Sequence, residues 1–126
     1  MQTIVPLALA AYSKLICLEI HLWRGNFASI HNRVRSYPIR SRARAATIDR
    51  VCLAVDMACI WYCKQVLCLQ RTAATVWLLR RHGIPAHMVI GVQQLPFKAH
   101  AWVEVNGRVV NDKPYVTEIY SVLDRC

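Results

Sequence analysis

Three residues stand where chain architecture favours reactive groups: Cys68, His100 and Asp112. The periodicity predicts a helix that begins at Cys68. A helix N-terminus stabilises a thiolate through its free N–H groups and its dipole. His100 falls inside a predicted strand that runs into Asn106-Gly107. That dipeptide is the strongest short hairpin signal, because both loop residues must take positive φ. Asp112 ends the returning strand. If Asn106 and Gly107 form the loop, Val105 pairs with Arg108 and paired positions sum to 213. Asp112 then faces Ala101, the neighbour of His100. Neighbours on a strand point to opposite faces, so a bulge or bend is needed to bring Asp112 to His100. A thiolate, an imidazole that shuttles protons and a carboxylate that fixes its tautomer form the nucleophile–base–orienter set of acyl transfer.

Other residues are weighed beside these three. Trp102 lies two positions after His100 on the same strand face. It either shields the imidazole or walls a substrate cleft, or it is a core tryptophan. The Cys68 backbone N–H is the natural first oxyanion donor. Gln65 is the only side-chain amide shortly upstream that could be a second, substrate-facing donor, and a helix-surface role competes with that reading. Cys52, Cys59 and Cys63 recur at steps of seven and four, on one helical face. No C-x-x-C pair accompanies them, and cysteine on a helix face is usually a small hydrophobe. No metal and no cofactor are therefore expected. His82 and His87 flank a Gly-Ile-Pro turn and read as surface residues, while His21 and His31 carry no pattern.

The elements that must position these groups can be read in order. Leu7, Ala11, Lys14, Leu15, Leu18 and Leu22 recur at three- and four-residue steps, which predicts an amphipathic helix over 4–23. Residues 25–45 read as a basic linker: six arginines lie between Arg24 and Arg44, and no acidic residue occurs between Glu19 and Asp49. Thr47 is a candidate N-cap for a helix over 48–63, with Val51, Val55, Ala58 and Tyr62 on one face. The Cys68 helix runs to His82, and Gly83 is the natural stop. The period then changes to two. Strands are predicted over 86–92, 99–105 and 108–111, with a short helix or final strand over 115–123. Helices followed by an antiparallel sheet make an α+β fold.

Four stretches around the three reactive residues carry a family resemblance. They are Cys68-Leu-Gln-Arg-Thr-Ala-Ala, Leu78-Leu-Arg-Arg-His-Gly-Ile-Pro-Ala, Val89-Ile-Gly-Val and Phe97-Lys-Ala-His100-Ala-Trp-Val-Glu-Val-Asn-Gly-Arg-Val-Val-Asn-Asp112. Together they closely resemble the leader peptidases of lasso-peptide biosynthesis, a family similar to a stripped-down transglutaminase with a papain-like core. The resemblance covers about Val66 to Tyr115, with a weaker echo in the helical first half. It implies that Cys68 is the nucleophile, His100 the general base and acid, and Asp112 the orienting carboxylate. It also implies the reaction: removal of a leader peptide from a ribosomally made precursor, before an ATP-dependent cyclase closes the macrolactam. The family commonly has Ser where Thr72 stands, a departure that leaves the triad intact. At this length the chain resembles the stand-alone protease form, whose winged-helix recognition domain is a separate polypeptide.

Composition bounds these readings. The chain has 126 residues and is 56% hydrophobic, with mean hydropathy +0.25. Intrinsic disorder is excluded, since it requires low hydrophobicity. One domain is expected, with residues 1–45 as a helical basic region and 46–126 as the catalytic core. The net charge of +9 favours anionic partners. Nucleic acid is not expected, because only Phe27 and Tyr37 interleave with the arginines and no binding motif is present. The arginines suit a solvated face, or docking to the recognition protein or an acidic leader, with peripheral membrane association as a further option. Lys14 and Glu19 interrupt the first apolar run before it could span a bilayer, and no basic stretch precedes it as in a signal peptide. A cytoplasmic protein with reduced thiols is expected. Two other functions compete with the peptidase: a non-catalytic basic membrane-surface adaptor, and an acyltransferase using the same triad.

Overall fold

The computed structural model describes residues 4–24, 27–39, 48–62, 68–94 and 96–126. Helix α1 (Ile4–Arg24) buries Leu7, Ala11, Leu15 and Leu18, the face that the spacing predicts. Its opposite face leaves Val5, Leu9, Ile16, Ile20 and Trp23 exposed. Helix α3 (Ile48–Trp61) buries Val51, Ala54, Val55 and Ala58, and Tyr62 just beyond it. Helix α4 (Cys68–Arg81) is the central helix, with Ala73, Ala74, Val76, Leu78 and Leu79 in the core. It ends in a Schellman motif. The Ile84 N–H donates to Leu79 O at 3.0 Å, the Gly83 N–H donates to Arg80 O at 3.1 Å, and Gly83 takes φ 78°. No helix among the described residues is long and apolar enough to cross a membrane.

The basic stretch after α1 corrects the linker reading. It contains helix α2 (Phe27–Ser36). Ile30 and Val34 lie four residues apart and are both fully buried, and tertiary packing of such a pair stabilises a helix that also carries the polar His31, Asn32, Arg33, Arg35 and Ser36. Arg33 and Arg35 sit in its last turn, where they complement the dipole. The remaining arginines of this stretch (Arg40, Arg42 and Arg44) and the Thr47 cap lie outside the described residues.

Strands β1 (Ala86–Gln94), β2 (Phe97–Val105), β3 (Arg108–Val109) and β4 (Ser121–Arg125) form an antiparallel sheet in the order β3-β2-β1-β4. The predicted α+β architecture is thus present. Asn106 and Gly107 take φ 52° and 79°, as a two-residue hairpin demands. Val105 pairs with Arg108 and Glu104 with Val109, the expected register. The segment predicted as helix or strand is both: α5 (Val116–Ile119) leads directly into β4. Helix α4 covers one face of β1 and β2. Ala101, Val103 and Val105 point into that helical core, whereas Trp102 packs on the other face with Val89 and Val116.

Candidate active site

Cys68 is the first residue of α4, and it is exposed. Two buried side chains one turn on hold this helix end in place. The Gln70 amide donates to Leu15 O at 2.8 Å and to Glu19 Oε1 at 3.2 Å, tying α4 to α1. The Thr72 hydroxyl donates to Ala101 O at 3.2 Å, tying α4 to β2 beside His100. Cys68 and His100 line one small open pocket of about 70 Å³, with Leu69, Ile90, Ala99 and Ala101. Its wall is otherwise aliphatic. A larger cavity of about 430 Å³ lies at the Asn106–Gly107 end of the sheet and includes none of Cys68, His100 and Asp112.

His100 Nε2 lies 2.5 Å from Asp112 Oδ2, and both side chains are about one quarter exposed. With the carboxylate ionised, Nε2–H is the donor. The change of face occurs at the end of β3. Val110 still donates its N–H to Val103 O at 3.0 Å. The Val103 N–H, however, donates to the Asn111 side-chain carbonyl at 2.9 Å instead of a backbone acceptor. The main chain is thereby released from the ladder and bends at Asn111–Asp112. Asp112 Oδ1 then accepts from the Lys113 N–H at 2.7 Å, which fixes the carboxylate.

Trp102 is 0% exposed. Its ring lies 6.1 Å from that of His100, and its indole N–H donates to buried Glu104 at 3.0 Å. It is a core residue behind the imidazole, not part of a cleft wall, because a satisfied N–H and apolar neighbours favour burial. Gln65 lies outside the described residues, as does Cys63. Burial pushes the Cys52 thiol up to about 11, with Asp56 and Asp49 adding to the shift. Burial also raises the Cys59 and Cys126 thiols. Among the described residues, no group of three or more His, Cys, Asp or Glu side chains could hold a metal ion. A second His–carboxylate contact joins α2 to β4: His31 Nε2 lies 2.7 Å from Asp124 Oδ2, and this bond holds the Asp124 carboxyl below its ordinary value. Cys126, two residues from Asp124, is buried.

The model of a family described as the transglutaminase-like superfamily matches residues 14–125. The chain belongs to that superfamily. It is also 45% identical, over 56 residues, to the microcin J25-processing protein McjB of Escherichia coli. The aligned stretch is 44% of this chain and 27% of that protein, so only about a quarter of the relative's length is covered. No solved structure matches significantly.

Several residues around His100 escape a reading of the sequence. Tyr120 closes on His100 from the α5–β4 junction, with ring centroids 5.3 Å apart. Gly91 on β1 provides the room. A Cβ there would lie 2.6 Å from the Trp102 ring and 2.8 Å from Tyr120 Cβ. Glu104 joins the Trp102 indole to Arg125, whose Nε lies 3.3 Å from Glu104 Oε1. Asn111 carried a signal in its position beside Asp112 at a strand end, where a short amide competes well for backbone groups. Tyr120 carried none, because nothing local connects it to a strand twenty residues away.

Proposed function

We propose that this transglutaminase-like chain is a cysteine peptidase that removes the leader from a lasso-peptide precursor. The observation that carries the reading is the His100–Asp112 pair, beside the exposed Cys68 at the start of α4. Its likeness to a microcin-processing protein supports the substrate class. Asp112 occupies Nε2, so Nδ1 is the ring nitrogen left to exchange a proton with the thiol. His100 takes the Cys68 proton, and Sγ attacks the scissile carbonyl carbon. The Cys68 N–H stabilises the oxyanion. The C–N bond breaks as His100 returns the proton to the leaving amine, which becomes the N-terminus of the core peptide. Water, deprotonated by His100, then attacks the thioester and releases the leader as a carboxylate. Asp112 keeps the tautomer and supports the imidazolium. A separate recognition protein presents the leader, and a cyclase consumes the freed amine.

The test is mass spectrometry of a lasso precursor encoded beside this gene, incubated with the chain and the recognition protein. Two fragments that add up to precursor plus one water are expected. Cys68→Ala and His100→Ala should abolish them, and Asp112→Ala should leave more residual turnover. Wild-type cleavage by the Cys68→Ala protein would overturn the assignment. Transfer of the leader to an amine in place of water would make the chain an acyltransferase.

A further inference from the structure

The Asp112 contact fixes one nitrogen of His100 but not the plane of the ring. A ring held at a single atom can still swing about that bond, and swinging moves Nδ1 relative to Cys68. A second contact, on the ring face, is needed to stop it. Tyr120 supplies one, with its ring centroid 5.3 Å from that of His100 and the planes inclined by 33°. Trp102 backs both rings, 6.1 Å from His100 and 6.2 Å from Tyr120. These separations fall in the range where aromatic rings attract. Trp102 is itself held by its bond to Glu104 and by complete burial.

The backbone is shaped to admit Tyr120. The β1–β4 register shifts between Ile90 and Gly91. Such an irregularity re-aims the side chains beside it. At the same point β1 carries glycine, and any Cβ would collide with Trp102 and Tyr120 together. The Tyr120 N–H closes α5 by donating to Val116 O at 3.0 Å, which sets where the ring starts from. Bulge, glycine and helix end converge on one ring, and that ring faces the imidazole.

We propose that Tyr120 is a positioning residue for His100. Its aromatic face, backed by Trp102 and admitted by Gly91, holds the imidazole plane so that Nδ1 stays directed to Cys68. The proposal rests on His100 being the proton acceptor for Cys68, and therefore on the peptidase reading. It concerns the face of the ring and not the phenol oxygen.

Three measurements test it. In the wild-type protein the His100 ring protons should show NMR shifts displaced by neighbouring ring currents. Unshifted protons would overturn the proposal without any variant. Tyr120→Leu keeps apolar bulk and removes the face. It should lower kcat by about 10-fold or more with KM little changed, because misplacement costs rate rather than uniform binding. It should also slow iodoacetamide labelling of Cys68, while Tyr120→Phe should restore both. A Leu variant that labels and cleaves like wild type, or a Phe variant as impaired as Leu, would overturn it. If the wild-type chain cleaves no precursor, the peptidase reading fails, while labelling and NMR still decide the role of Tyr120.

Discussion

The cysteines of this chain differ in environment more than in spacing. Cys52, Cys59 and Cys126 are held as neutral thiols by burial, Cys52 up to about 11. Cys68 stands exposed at a helix start and lines one small pocket with His100. Nucleophilicity toward an alkylating agent follows thiolate fraction and access. Substoichiometric iodoacetamide at pH 7, followed by peptide mapping, should therefore modify Cys68 first. Preferential labelling of Cys52 or Cys59 would show that the α3 thiols are more reactive than their surroundings permit. If His100 is the proton acceptor proposed for Cys68, His100→Ala should reduce the preference for Cys68.

The start of α4 and the middle of β2 bring Cys68 and His100 to one pocket. Thr72 is the polar link between them, fully buried, with its hydroxyl on Ala101 O. Thr72→Val keeps the shape but leaves that carbonyl without its donor. The expected loss is about 1–3 kcal/mol of unfolding free energy. Thr72→Ser keeps the donor and should lose less. Urea denaturation of the two variants separates the hydrogen bond from the methyl group. Equal losses would mean that packing, not the bond, holds α4 to β2. Helix α2 also belongs to this scale. Among its described side chains only Ile30 and Val34 are buried, yet it docks and brings His31 and Arg35 to Asp124 on β4.

Across the whole molecule, one buried guanidinium gathers segments that are distant in sequence. Arg80 on α4 donates to Ala86 O at 2.9 Å, Val34 O at 2.5 Å, Tyr37 O at 3.2 Å and Cys126 O at 3.1 Å. Helix α2, strand β1 and the end of β4 thus meet on one side chain. Desolvation lowers its pKa, though it remains charged, as arginine does in proteins. Arg80→Met would leave several carbonyls short of a donor, at about 1 kcal/mol or more each, so a total loss near 3 kcal/mol is expected. Arg80→Lys restores the charge but not the planar fork, and should recover only part. Urea midpoints measure both. A Met variant as stable as wild type would mean that water replaces the guanidinium without cost. Lys14 is the other buried cation among the described residues. Its Nζ sits 4.4 Å from the Tyr37 ring and 5.1 Å from that of Trp77, and burial lowers its pKa.

The features legible in the residue order alone are local. The three- and four-residue steps of Leu7, Ala11, Leu15 and Leu18 specify α1 and its buried face. Gly83 specifies the end of α4. Asn106-Gly107 specifies the hairpin, its register, and hence how near Asp112 comes to His100. Each follows from backbone sterics or side-chain period within a few residues. Features that depend on faces meeting emerge only from packing. Helix α2 was hidden because its pattern is weak and its stability comes from packing on the core. The bend that brings Asp112 to His100 depends on Asn111 taking the Val103 N–H across the hairpin. The burial of Trp102 and the approach of Tyr120 depend on α5 and β4 folding back over a glycine in β1. No local period encodes these contacts, because the partners are far apart in sequence and meet only once the sheet and its bulge exist.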